Sequence, residues 1–215
     1  PGERIEVWKD FHDRNTGDRI VLKSLAFNGG ALSSMGGMMG GGMHGNTAGV
    51  ENGAAFDICS FEVTNKQGPA LAIPHGFENV DRIQTPDAVN QNNPRSFRFY
   101  NEQMQWVING QSFEMAEVAD WEKVKLNTTE IWQFINGDDG RGMMQDMMRM
   151  PHPVHIHGLS FQIIRRDVSN MDANMWNTVK DGFVDNGWQD TFLLMPGMKV
   201  QVIMRFEDFT GMYVY

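Results

Sequence analysis

Cysteine is nearly missing from this sequence, which has one, Cys59, among 215 residues. A lone cysteine cannot form an internal disulfide, so the fold has to be held by packing and hydrogen bonds. No histidine lies close to Cys59 in the sequence, and the residue falls within the alternating stretch Phe56–Val63. We therefore expect Cys59 to be a small buried hydrophobe on a strand, and not a metal ligand.

Long apolar runs and positive charge are also scarce. No stretch approaches the roughly 18 uninterrupted apolar residues that suggest a membrane span. The first residues, Pro1–Arg4, lack the basic start and apolar middle of a secretory leader, so we expect none within this chain. With 18 Lys and Arg against 27 Asp and Glu, the net charge is −9. This balance argues against nucleic acid or an anionic membrane surface as a partner.

Histidine is concentrated in one place. Three of the six histidines fall within the seven residues His152–Gly158, whose sequence is HPVHIHG. In an extended segment, His155 and His157 point to one side and His152 points to the other. Imidazole is the commonest protein ligand for copper, zinc and iron, so one strand could serve two metal sites. A hydrogen-bonded histidine cluster without metal is the alternative.

This segment, together with the apolar run 159–164 and the later Gly187–Thr191, resembles the last cupredoxin domain of the multicopper oxidases, especially the bacterial laccases and cuprous oxidases. The resemblance implies that His152 binds the type 1 copper, His155 the type 2 copper and His157 one of the type 3 pair. It also suggests Asp190 as an acceptor that orients a ligand histidine. A buried turn carboxylate is the alternative for Asp190.

The resemblance stops short at the C-terminal end. In the family, a His-Cys-His segment follows one strand after the Gly-Trp-x-Asp-Thr segment, whereas this chain ends at Tyr215 without one. We therefore expect a C-terminal fragment that is inactive alone. The remaining ligands would come from the first cupredoxin domain and a His-Cys-His segment, on another or a longer chain.

The pattern of short alternating strands separated by turns predicts an all-β, Greek-key sandwich, cupredoxin-like by the resemblance. Residues 1–64 are expected to be the end of a preceding cupredoxin domain, including a glycine- and methionine-rich loop at 28–53. Residues 65–94 are expected to be a linker, and 95–215 the last domain. Strands are predicted at 3–11, 19–27 and 124–126, among others.

Methionine is abundant, with 17 residues in two main clusters. Thioether sulfur prefers Cu(I), so the loop cluster could recruit cuprous ions, although its methionines could equally be incidental. The second cluster, just before the histidines, is expected to pack over the metal end of the sandwich, and a second Cu(I) contact surface is the alternative. The loop candidates are Met35, Met38, Met39, Met43 and His44; the second cluster is Met143, Met144, Met147, Met148 and Met150; and His12 and His75 are expected to be ordinary surface or turn residues.

The resemblance implies a copper oxidase. Such an enzyme couples one-electron oxidation of a reducing substrate, a phenol or Cu(I), to four-electron reduction of dioxygen to water, in the periplasm or outside the cell. A non-catalytic module for copper binding or copper tolerance is one alternative. A relative of the copper nitrite reductases is another, disfavoured because HPVHIHG uses three histidines as the trinuclear oxidases do.

Overall fold

A computed structural model describes residues 4–5, 7–28, 50, 53–65, 72, 80–103, 105–112, 114, 117–137 and 150–211. Most of the regular secondary structure in these ranges is strand, which agrees with the all-β prediction. They are β1 (Arg19–Ser24), β2 (Phe56–Glu62), β3 (Arg95–Glu102), β4 (Gln105–Ile108), β5 (Thr128–Asn136), β6 (His152–His155), β7 (Phe161–Asp167), β8 (Thr191–Leu194) and β9 (Lys199–Phe206). One α-helix, α1 (Ala173–Val179), and three single-turn 3-10 helices at Thr85–Asp87, Asp120–Glu122 and Lys180–Gly182 complete the described elements.

A mixed five-stranded sheet, in the order β4-β3-β5-β9-β7, forms the larger layer. Its central strand β5 runs parallel to β3 and antiparallel to β9. Side chains of β5 alternate, so Trp132 and Phe134 enter the main core while Ile131 points to the opposite face. From Glu130 to Asn136 every residue of β5 except Gln133 is buried, as expected for a central strand that is covered on both faces.

A two-stranded antiparallel sheet, β6-β8, lies over the inner face of the large sheet. Val154 of β6 and Phe192 and Leu194 of β8 share one buried cluster with Phe97 and Phe134 of the large sheet. Each such side chain contributes roughly 1.5–3 kcal/mol by leaving water. This packing fixes β6, and with it the histidine segment, against a rigid layer.

The outer face of the large sheet is covered by residues 81–91, which lie within the predicted linker. Ile83 and Ala88 pack on Ile131 and Ile203. The fully buried side chain of Gln162 accepts from the Ile83 backbone N–H at 3.0 Å and donates to the Asp81 carbonyl at 2.7 Å. This stretch is therefore attached to the sandwich by both packing and hydrogen bonds.

The hairpin of β1 and β2 is a separate two-stranded sheet. Every residue of β2 is exposed, including Cys59, so the expectation that Cys59 is buried was wrong. Alternation predicted the strand correctly, but burial also needs a second layer, and within the described residues none covers β2.

Two further strand predictions fail. Residues 4–5 and 7–11 are not strand, and neither is 124–126. An alternating sequence favours a strand, but a strand forms only where a neighbouring strand offers backbone hydrogen-bond partners. The sequence pattern does not show whether such a neighbour is present. Among the described residues, no helix is long and apolar enough to cross a membrane.

Candidate metal centre

The three clustered histidines lie on β6 and the turn that follows it. His152 shares the inward face with the buried Val154 and Ile156, whereas His155 and His157 lie on the opposite side. The strand ladder ends at His155, and Gly158 then takes a positive φ of 80° in the turn. One short segment therefore presents imidazoles to two different environments.

His152 lies in an aromatic environment. Its ring is 5.3 Å from the Phe99 ring and 4.8 Å from the Trp106 ring, measured between centroids. Burial lowers the pKa of His152 from 6.5 to about 4, so the imidazole is neutral at pH 7. Its Nε2 atom is buried and has no hydrogen-bond partner. A buried ring nitrogen left without a partner fits a metal ligand better than a structural histidine, since buried polar atoms are normally paired.

A cavity of about 1240 Å³ adjoins His152. Its lining includes the aromatic rings of Phe99 and Trp106 together with charged residues such as Glu122 and Lys123. The neutral form of the His152 imidazole is favoured by the burial of the ring itself.

Asn136, at the end of β5, holds the strand that carries His152. Its side-chain N–H groups donate to the Met150 carbonyl at 2.9 Å and to the Leu194 carbonyl at 3.0 Å. Met150 precedes His152 by two residues, and Leu194 lies opposite His152 in the β6-β8 ladder. Asn136 therefore fixes the histidine backbone from both sides, and its own Oδ1 is buried without a partner.

His155 lies against the start of β8. Its Nδ1 atom is 2.8 Å from the Asp190 carbonyl oxygen and 2.7 Å from Thr191 Oγ1. Its ring centroid is 4.7 Å from that of His157. With Nδ1 engaged in the protein, Nε2 of His155 is the ring nitrogen left for a ligand. Two neighbouring imidazoles on one face can share a metal or bridge a pair.

Asp190 contacts His155 through its backbone, since its carboxylate Oδ1 is 4.0 Å from Nδ1. The carboxylate instead accepts from the Thr191 hydroxyl at 3.0 Å and from the Arg4 guanidinium. The hydrogen bond from Arg4 is the main reason why the pKa of Asp190 lies below its usual range. The acceptor for the histidine is thus the Asp190 carbonyl, while the carboxylate orients Thr191.

Several residues considered in the sequence analysis lie outside the described ranges. They are the candidate Cu(I) residues of the loop, Met35, Met38, Met39, Met43 and His44; four methionines of the second cluster, Met143, Met144, Met147 and Met148; and His75. His12 is exposed, and Cys59 lies on the β1-β2 hairpin. Across the described part of the chain, no group of three or more His, Cys, Asp or Glu side chains could hold a metal ion together. The histidines of β6 and of the turn after it have the chemistry of copper ligands, but they form only part of a ligand set.

Two residues at this site were not predicted from sequence, Thr191 and Asn136. Thr191 belongs to the Gly187–Thr191 segment noted in the sequence, but its contact with His155 was not predicted. Asn136 is a polar residue at the end of a predicted strand, which is only a weak indication of a structural role. Both act on histidines through contacts distant in sequence, which residue patterns do not reveal.

The sandwich and its histidine segment define a cupredoxin-like protein, and comparison with known proteins gives the family. The sequence profile described as "Multicopper oxidase" matches residues 83–215, more than half of the chain. The chain therefore belongs to the multicopper oxidase family.

Relatives include the bilirubin oxidase of Albifimbria verrucaria, 29% identical over 99% of this chain and 32% of that protein. A laccase of Haloferax volcanii is 25% identical over 99% of this chain and 30% of its own length. The chain thus spans about a third of these relatives.

Solved structures agree on the fold. The McoA multicopper oxidase of Aquifex aeolicus matches 94% of this chain and 37% of its own, with a TM-score of 0.60 at 21% identity. A multicopper oxidase of Campylobacter jejuni, described as a metallo-oxidase, matches with a TM-score of 0.51 at 16% identity. The cupredoxin-like prediction is confirmed. At these identities the likeness concerns the fold alone.

Proposed function

We propose that this chain supplies three copper ligands of a multicopper oxidase: His152 to the type 1 copper, His155 to the type 2 copper and His157 to one of the type 3 pair. The main observation behind this proposal is that the histidines of β6 and the following turn lie on two opposite sides of the segment. Nε2 of His152 is buried and unpartnered on one face, and the paired imidazoles of His155 and His157 lie on the other.

Copper bound at these positions would supply one-electron oxidation of a reducing substrate and, after four electrons, reduction of dioxygen with four protons to two waters. The chain's own residues prepare the two environments. The rings of Phe99 and Trp106 pack against His152, and Asn136 fixes its backbone. Neutral imidazole, the form that binds metal, is favoured at His152 by its burial.

The rest of the ligand set is proposed to come from the first cupredoxin domain and a His-Cys-His segment, on another or a longer chain. Three observations support this. The described residues hold no complete group of three ligands, and the chain covers about a third of its relatives. Cys59 lies on the β1-β2 hairpin, outside the sandwich that carries the histidines.

The substrate is proposed to be a phenolic compound or Cu(I), and the location periplasmic or extracellular. A Cu(I) role for Met35, Met38, Met39, Met43 and His44 belongs to the same proposal. Replacing these four methionines with serine should weaken oxidation of Cu(I) more than oxidation of a phenol. Equal loss on both substrates would remove the reason to assign the loop to Cu(I).

The test of the main proposal replaces the histidines in the full-length protein. His152→Gln should remove the type 1 copper, and the His155→Gln/His157→Gln double variant should remove copper from the trinuclear site. Either change should lower dioxygen uptake by at least a hundredfold. His12→Gln, which changes an exposed histidine, is the matched control.

Copper per chain, measured by elemental analysis, and oxygen uptake are read together. Unchanged copper content in both histidine variants would refute the ligand assignment. Full copper loading of the wild-type protein without oxygen uptake on phenols or Cu(I) would instead favour a non-catalytic copper-binding module.

A further inference from the structure

The residues that face His155 are held by the backbone. In the β6-β8 ladder, Thr191 lies directly opposite His155. The Asp190 carbonyl accepts from the Ile156 N–H at 3.1 Å, and Gln189 exchanges two backbone hydrogen bonds with Phe161, at 2.7 and 2.9 Å. Strand pairing therefore fixes the position of the Asp190 carbonyl and of the Thr191 backbone that carries the second acceptor, Oγ1.

Hydrogen-bond chemistry then determines which ring nitrogen of His155 carries the proton. A backbone carbonyl only accepts, so Nδ1, at 2.8 Å from the Asp190 carbonyl oxygen, has to be the donor. Thr191 Oγ1 leads to the same result, because its own hydrogen is directed to the Asp190 carboxylate at 3.0 Å. Its oxygen, 2.7 Å from Nδ1, is then available as an acceptor.

We infer that Thr191 is a positioning residue: together with the Asp190 carbonyl it keeps the His155 proton on Nδ1 and orients the ring, so that Nε2 is the copper-binding atom. This inference rests on the proposed ligand role of His155. Thr191 is buried, at 3% exposure, so its hydroxyl has no competing bond to bulk water. Outer hydrogen bonds of this kind fix both the tautomer and the ring orientation of a metal-binding histidine.

The Asp190 carboxylate acts one step further away. It receives the Thr191 hydroxyl on Oδ1 and the Arg4 guanidinium on Oδ2. Arg4 belongs to the segment before β1, so a residue near the start of the chain helps to orient a hydroxyl beside His155. The order of contacts is Arg4 to Asp190, Asp190 to Thr191 and Thr191 to His155.

The first experiment measures the tautomer directly. Nitrogen-15 NMR of the metal-free, full-length protein labelled at histidine distinguishes a protonated ring nitrogen from an unprotonated one. His155, assigned by the signal lost in His155→Gln, should carry its proton on Nδ1 at pH 8. A proton on Nε2 would overturn the inference without any variant of Thr191 having to fold.

The second experiment varies the hydroxyl. Thr191→Val keeps the shape but removes the acceptor, and should weaken Cu(II) binding at the His155 site by about 10–100-fold. Thr191→Ser keeps the hydroxyl and should restore most of the affinity. Thr129→Val, on β5, is the matched control for replacing a strand threonine.

Pulsed electron paramagnetic resonance of the copper-loaded protein supplies the spectroscopic readout. The coupling of the remote imidazole nitrogen, which is Nδ1 in this proposal, should change in Thr191→Val and return in Thr191→Ser. Wild-type affinity and an unchanged coupling in Thr191→Val would overturn the inference while leaving His155 a ligand. Loss of the ligand role itself would appear separately, as normal Cu(II) binding in His155→Gln.

Discussion

The sandwich and the β1-β2 hairpin are built from similar alternating sequences but differ in burial. Phe134 of β5 is fully buried, whereas Phe61 of β2 is 47% exposed. The sandwich has a second layer, β6-β8, and a covering segment at 81–91, whereas the described residues form no second layer over β2, where the ring of Phe61 meets that of Phe11. An alternating sequence therefore predicts a strand. Whether the side chains of that strand are buried and can hold a metal site depends on a second layer packed against it.

The largest difference should appear when an aromatic ring is removed from each region. Phe134→Ala should lower the free energy of unfolding of this chain by about 3–5 kcal/mol, because it leaves a cavity among Phe97, Trp132 and Phe192. Phe61→Ala should cost under about 1 kcal/mol, since the ring is already half in water. Urea unfolding followed by circular dichroism measures both. An equal loss in the two variants would show that the hairpin is covered in solution.

Ion pairs give the second contrast. Arg95 and Glu130 form a bidentate pair with two contacts of 2.8 Å, and Trp132 Nε1 donates to the same carboxylate. Glu130→Gln leaves Arg95 without its charge partner in a partly buried position, and we expect a loss of about 3 kcal/mol.

The Lys23–Asp57 pair of the hairpin, at 3.3 Å, is exposed on both sides. Asp57→Asn should therefore cost at most about 1 kcal/mol, and less at 0.5 M salt. A salt-insensitive loss in Asp57→Asn as large as that of Glu130→Gln would contradict this contrast.

Glycine turns give a third contrast. Gly197, before β9, has a φ of 79°, and a Cβ there would lie 2.2 Å from the Asn170 carbonyl oxygen. Gly17, before β1, has a φ of 92° but nothing within 4 Å of an added Cβ. Gly17→Ala should cost about 1–2 kcal/mol from the backbone conformation alone. Gly197→Ala should lower the thermal midpoint more than Gly17→Ala, since strain and clash add; the reverse order would refute the packing at this turn.

The sequence predicted those features of the fold and the site that depend on a single local pattern. HPVHIHG identified the histidine segment, and strand parity separated His152 from His155 and His157. Long-range contacts were not readable, which is why Thr191 and Asn136 were missed and Cys59 was expected to be buried. Helix α1 was a different kind of miss, because Asp172 caps it by accepting from the Met175 N–H at 2.9 Å, and a capping aspartate is a signal a sequence can show.

The smallest expected effect is the pH dependence of the metal-free chain, which contrasts the partly buried His152 with the exposed His12. The folded pKa of His152 is about 4 and the unfolded value is 6.5, so the unfolded chain binds this proton more readily between those values. The contribution of neutral His152 is therefore complete above pH 6.5, falls as the pH drops and levels off near pH 4. Its size should be on the order of 1–2 kcal/mol, allowing for partial exposure of the ring.

Urea unfolding at pH 7.5 and 4.5, with a chelator present to keep the chain metal-free, measures this effect. His152→Gln should flatten the dependence in that window, while His12→Gln should leave it unchanged. The pKa values of Asp120, Asp167 and Asp190 are lowered from 3.8, so the stability these carboxylates contribute is lost below the His152 window. An undiminished slope between pH 6.5 and 4.5 in His152→Gln would mean that His152 is not the buried neutral group. The contrast between the two faces of β6 would then lose its electrostatic basis.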